Sequence, residues 1–229
     1  MKRLLLAFAS ALLSLNAWAV TYQYTGPVYT SVTNFTTPCA GTAVCQNYSP
    51  AGQITGQFTT AAPLGTNLAD VSIVPQLTSY SFADGIHTIS SSDSRSRVIL
   101  FRVTTDLTGQ ITNAHISLQQ WATAAVSHVT GDFFGAIFIS SAGTVIAQHN
   151  QTCDITSASP TDSCGVTSTN PNAYSNAFAV AFGVWTTLAS PAAAAAIPTL
   201  SAWSLALLSV LLAGMAWGFR SRLFHRSRT

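Results

Sequence analysis

An all-β fold is predicted for the middle of this chain, as an antiparallel β-sandwich, and three observations carry the prediction. Apolar residues recur there at a period of two, which places alternate side chains on opposite faces of a sheet. Turn pairs containing Gly and Asp punctuate those runs at short intervals. Helix-favouring surface residues are missing: the 229 residues include no Glu, and the only Lys is Lys2, although both are preferred on exposed helix faces. Many short strands with no helical run between them pack as two facing sheets. A jelly roll is among the topologies this allows, and a closed barrel is the alternative architecture.

The chain opens with Met1, Lys2 and Arg3, continues as an apolar run from Leu4 to Leu15, and reaches Ala17, Trp18 and Ala19. Charged, apolar, then A-x-A is the order of a secretory signal peptide, predicted over residues 1–19 with cleavage after Ala19. Signal peptidase and Sec-type export machinery are the implied partners. The apolar run is too short to span a bilayer comfortably as an uncleaved anchor. Residues 20–189 are the predicted exported β-rich domain.

Within that domain Tyr22 and Tyr24 alternate with Thr21, Gln23 and Thr25, Ile54 and Phe58 flank Gly56, and Ile99, Phe101 and Val103 form a third series. The clearest alternation comes late, where Phe178, Val180, Phe182 and Val184 interleave with Ala177, Ala179, Ala181 and Gly183. Asp84-Gly85, Thr108-Gly109 and Gly131-Asp132 are the turn signals. Residues Ala122 to Ala125 offer at most a helical turn or two.

The four cysteines, Cys39, Cys45, Cys153 and Cys164, all lie in the exported region, where an even number implies disulfides. Three pairings exist. The spacings favour Cys39 with Cys45 and Cys153 with Cys164, since each closes a short polar loop at small entropic cost. Zinc is the alternative, but C-x5-C and C-x10-C are not usual zinc spacings. No metal and no cofactor are expected.

Charge divides the chain into three compartments. Only 7% of residues are charged, far below the quarter typical of soluble domains. With 48% hydrophobic residues, disorder driven by charge is excluded. Arg95, Arg97 and Arg102 face seven aspartates in the middle region, net −4, while Lys2 and Arg3 at one end and Arg220, Arg222, Arg226 and Arg228 at the other bring the total to +2. No basic face is present to bind nucleic acid.

After Ser190 and Pro191 come five alanines, Ala192 to Ala196, so residues 190–196 read as a Pro/Ala linker. Ile197, Pro198, Thr199, Leu200, Ser201, Ala202, Trp203 and Ser204 follow. Residues 202–219 then run 18 positions without a charge, which as a helix approaches the roughly 30 Å hydrocarbon thickness of a bilayer. Arg220, Arg222, Arg226 and Arg228 follow the span and stay cytoplasmic, so the β-domain lies on the other side of an inner membrane. Gly214 and Gly218 form a G-x-x-x-G within the predicted transmembrane helix.

This tail resembles the IPTL-CTERM sorting signal, a relative of the PEP-CTERM signal: a short Pro-containing motif, a membrane helix and a terminal Arg cluster. The resemblance covers residues 197–229. It implies a protein exported by a Gram-negative bacterium and processed by an exosortase-like transpeptidase, with Ile197, Pro198, Thr199, Leu200 and Trp203 as recognition residues. Pro198 supports that role physically, because it holds the preceding segment extended for a processing cleft. Tyr22 to Gly26, Gly56 to Thr60, Tyr80 to Gly85 and Thr105 to Ile111 also resemble, loosely, blocks of exported domains that accompany such tails.

No motif points to catalysis. His87, His115, His128 and His149 lack a G-x-S-x-G or H-E-x-x-H context, and the seven aspartates sit at turns. Arg95, Arg97 and Arg102 have the chemistry to bind an anionic polysaccharide, against the plainer reading of a charged strand edge. Tyr29, Tyr48, Trp121 and Trp185 have the chemistry to stack on sugars, against the plainer reading of core residues. Asn34, Asn47 and Asn150 satisfy N-x-S/T and are read as loop positions. The expectation is a non-catalytic protein of the cell envelope or extracellular matrix, next to polysaccharide; a carbohydrate-binding surface module and a secreted hydrolase are the alternatives.

Overall fold

The computed structural model describes residues 19–39, 44–124 and 127–188. The described chain forms two antiparallel sheets with almost no helix. In the first, the order is β13 (Val184–Leu188), β1 (Val20–Val28), β3 (Gln53–Thr60), β5 (Leu77–Ala83) and β6 (Thr88–Ser90). In the second it is β2 (Ser31–Thr33), β12 (Ser175–Val180), β10 (Thr144–Ala158), β9 (Phe133–Ile139), β8 (Ile111–Trp121), β7 (Ser96–Thr105) and β4 (Val71–Ser72). Strand β11 (Thr161–Ser168) pairs with the far half of β10. One 3-10 turn, Val74–Gln76, holds Pro75 in its first turn, where a missing N–H costs nothing.

The sheets face each other across one core. Tyr22, Tyr24, Ile54, Phe58 and Phe82 enter it from the first sheet, and Phe101, Val103, Ile116, Leu118 and Ile137 from the second. Phe58 crosses the interface to Phe101 with ring centroids 4.9 Å apart, edge to face. Both sheets keep free edges, so the sandwich is not a closed barrel. Consecutive strands β7 to β10 lie side by side as a meander in one sheet, not as the paired Greek keys of a jelly roll.

Alternation works as predicted in β1, where Tyr22 and Tyr24 are buried and Gln23 and Thr25 exposed. It slips in β7. Phe101 and Val103 are fully buried, but the register shifts between Val98 and Leu100, and the bulge leaves Ile99 half-buried. The late run is inverted relative to residue size. Ala177 and Ala179 are buried, while Val180, Phe182 and Val184 are each more than 60% exposed. The run also breaks into β12 and β13 on different sheets. Small residues suffice on the inner face there because Ala147 pairs with Ala177, and Val145 with Ala179, beneath the aromatic rings of the opposite sheet.

The predicted turns hold. Gly85, Gly109 and Gly131 have φ of 97, 82 and 98°, a region open to glycine without steric cost. Asp106 closes its turn by accepting from the amides of Thr108 and Gln110. Both favoured disulfides are present, Cys39 with Cys45 and Cys153 with Cys164. The second joins Trp121, Phe134 and Ala136 in a small satellite core.

The signal sequence up to residue 18, the linker 190–196, Ile197, Pro198, Thr199, Leu200, Trp203, the span 202–219 and the terminal arginines lie outside the described residues. Among the described residues, no helix is long and apolar enough to cross a membrane.

Candidate functional site

A cleft of about 370 Å³ opens where the turn between β5 and β6 meets the ends of β8 and β9 and the middle of β10. His87, Arg95, Gln120, Phe133, His149 and Asn150 line it, with Val44 at its rim. The turn that carries His87 is organised by Asp84, whose Oδ1 accepts from the amides of Ile86 at 2.8 Å and His87 at 2.6 Å. That Asx-type turn brings the imidazole back over its own carboxylate. Gly135 gives the ring its seat: a Cβ there would run into the His87 imidazole.

Asp84 is completely buried, yet it is well satisfied. Its Oδ2 accepts from Tyr48 Oη at 2.9 Å and faces His87 Nδ1 at 3.2 Å, while its carbonyl accepts from Tyr29 Oη at 2.9 Å. Burial, and after it the neighbouring Asp84 charge, raise the Tyr29 and Tyr48 hydroxyls above the usual phenol range. Beyond His87, its Nε2 meets His149 Nδ1 at 2.8 Å, and His149 Nε2 reaches the Val44 carbonyl at 2.6 Å. Burial holds the His149 imidazole below its ordinary range, the Val44 bond opposing in part.

A second cluster flanks the cleft on the outer face of the second sheet. His128 stacks flat on Trp121, centroids 4.1 Å apart and planes 4° apart. Its Nδ1 faces Asp162 Oδ2 at 2.9 Å and its Nε2 the Thr123 carbonyl at 3.2 Å. Asp162 also pairs with Arg97, and its carbonyl accepts from Trp121 Nε1 at 2.8 Å.

The sequence candidates fall into place as follows. Arg95 is bound to Asp93, Arg97 to Asp162 and Arg102 to Asp70; the three cations do not form a shared anion-binding patch. Hydrogen bonds from Arg95 hold the Asp93 carboxyl down at about 2. Tyr29, Tyr48 and Trp121 are buried and Trp185 packs on the core, so these four rings do not form a sugar-stacking platform. Asn34 clamps Tyr48 through its amide and carbonyl. Asn150 is no loop residue: it is buried in β10, at φ 54°, donating to Val44 and Ala173 carbonyls. Among the described residues, no Ser, Thr or Cys side chain bonds to His87, His128 or His149, and no three His, Cys or Asp side chains gather to hold a metal ion.

Sequence reasoning missed the joining of Asp84, His87 and His149. Only the D-G-x-H spacing of Asp84 to His87 was available as a signal, and His149 comes from another sheet.

What the described structure defines is a disulfide-bonded, two-sheet antiparallel β-domain. In the tail, the IPTL-CTERM motif matches residues 195–222, a stretch that includes Ile197 to Leu200, Trp203, Arg220 and Arg222. The sorting signal and the two disulfides are those of an exported protein. No curated protein and no solved structure was found to match the chain.

Proposed function

We propose that the chain is a non-catalytic exported protein of the Gram-negative envelope or extracellular matrix, anchored in the inner membrane by residues 202–219 until an exosortase-like transpeptidase processes its tail. The match at residues 195–222 carries this reading. Supporting it, charged groups of the β-domain are paired with one another, and the ring nitrogens of its buried histidines face carboxylates, carbonyls or each other rather than a nucleophile. Intact mass of the native protein tests it. A mature chain that begins at Val20 and lacks the Arg-rich tail is expected; a chain retaining residues 220–229 in cells with an active sorting enzyme would refute processing.

The cleft favours a second reading, a carbohydrate-binding surface module, since polar side chains and a partly exposed Phe133 line a space of saccharide size. Selective retention on a glycan array, lost when Phe133 is replaced by alanine, would support it over the first.

A further inference from the structure

The Asp84, His87 and His149 chain carries a proton count of its own. At one end stands a carboxylate oxygen that already accepts from Tyr48 Oη; at the other stands the Val44 carbonyl, which can only accept. His87 Nδ1 and His149 Nε2 must therefore both bear hydrogen for the end bonds to form. The two inner nitrogens, His87 Nε2 and His149 Nδ1, meet at 2.8 Å, and one hydrogen must lie between them. Two neutral imidazoles carry two ring hydrogens, whereas the intact chain uses three. The buried Asp84 carboxylate balances the extra charge.

We propose that Asp84, His87 and His149 form a proton-locked clasp that fastens Val44, the residue before Cys45, to the rim of the cleft, and that the clasp is intact only when the histidine pair holds exactly one extra proton. With that proton lost, two lone pairs confront each other between the rings or the Val44 bond breaks. With a second proton gained, two N–H groups and two like charges confront each other at the same place. Where the mismatch drives His149 away from His87, the Val44 carbonyl keeps only the Asn150 amide, 3.0 Å away, and the rim loosens.

The groups around the pair differ on its two sides. Burial disfavours charge on His149, while His87 lies against Asp84. Tyr29 and Tyr48 face the Asp84 side, with Tyr174 beside Tyr48, and the raised Tyr29 and Tyr48 hydroxyls stay neutral throughout the range concerned. Arg95 and Asp132 line the same cleft, Arg95 being tied to Asp93. Because the clasp needs one extra proton and no more, its response to pH is bell-shaped rather than a single step.

Hydrogen exchange of the Val44 to Tyr48 amides, measured on the full-length protein in detergent and corrected for intrinsic exchange, tests the clasp. Protection is expected to peak between about pH 5 and about pH 8, where imidazoles titrate, and to fall about tenfold on each side, the equivalent of one buried hydrogen bond. His87→Gln and His149→Gln should flatten the profile, and His115→Gln, whose ring packs on Phe138 instead, should leave it. Should the two variants fail to fold, ring nitrogen-15 shifts of the unaltered protein decide: three ring N–H groups at the maximum support the clasp, and two overturn it. A monotonic or flat profile overturns it as well. So does a maximum that disappears on adding a chelator, which would place a metal ion, not a proton, between the rings.

Discussion

Replacing Asp162 by asparagine is expected to lower the stability of the β-domain by about 2 kcal/mol at neutral pH, although the two side chains are nearly identical in size. The side chain is only 14% exposed and accepts from the His128 amide at 2.8 Å, faces the His128 ring at 2.9 Å, and pairs with Arg97. Each charge-assisted bond contributes about 1.5–3 kcal/mol, and asparagine keeps part of that through its amide oxygen. Asparagine also tolerates the left-handed backbone at this position, φ 57°. Alanine removes every side-chain acceptor and adds backbone strain, so Asp162→Ala should cost about 4 kcal/mol, the range for breaking a buried ion pair on one side. Burial pushes the Asp162 carboxyl up, but the His128 amide and ring and the Arg97 guanidinium outweigh it and hold it below the usual range. A carboxyl depressed in the native state stabilises fully above its unfolded pKa and loses that contribution as pH falls through the native one. The gap between the unaltered protein and Asp162→Asn should therefore narrow below about pH 4. Guanidinium unfolding of the full-length protein at a series of pH values measures both effects. Arg102→Gln is the control, since that pair is 40% and 55% exposed and exposed pairs contribute no more than about 1 kcal/mol. An Asp162→Asn variant within about 0.5 kcal/mol of the unaltered protein at neutral pH, or a gap that stays constant on acidification, would refute the reasoning.

Gly56→Val should destabilise by about 1–3 kcal/mol despite the strand preference of valine, because a Cβ at Gly56 meets the Phe82 ring and the Ser81 carbonyl; a neutral result in thermal melting would count against the close approach of β3 and β5. Removing the Cys153–Cys164 bridge by double alanine substitution should cost about 3 kcal/mol, the closure entropy of a loop whose ends are 11 apart in sequence. The Cys39–Cys45 bridge, separated by 6, should cost about 2 kcal/mol by the same relation, so equal losses in paired melts would contradict the loop-length argument.

How far the fold could be read from the sequence depended on how local each signal was. Period two in β1, the glycine turns at Gly85, Gly109 and Gly131, and the two short disulfide loops all rest on residues close in sequence, and the structure shows each of them. The bulge at Ile99 was hidden because it is a property of the pairing between β7 and β8, not of either strand. The burial of Ala177 in place of Phe178 was hidden because the aromatic rings that fill the space belong to the opposite sheet. The same reason hid the clasp. His87 and His149 are 62 residues apart, and the D-G-x-H spacing that marks His87 has no counterpart beside His149, whose neighbours do not set it apart from His115 on β8 against Phe138.

Those same pairings account for the unusual charge economy of the domain. Each arginine has an aspartate, and the aspartates without an arginine serve the backbone or a side chain: Asp84 receives two amides, His87 and Tyr48; Asp106 receives the Thr108 and Gln110 amides; Asp132 receives the Val129 amide; Asp154 receives the Ser168 hydroxyl. Carboxylates in this domain are thus structural acceptors first and surface charges second. Solvation of the exterior then falls to the hydroxyls of Ser and Thr, which are insensitive to both salt and pH. Against that background the proposed clasp of Asp84, His87 and His149 sets a response to pH at the rim of the cleft.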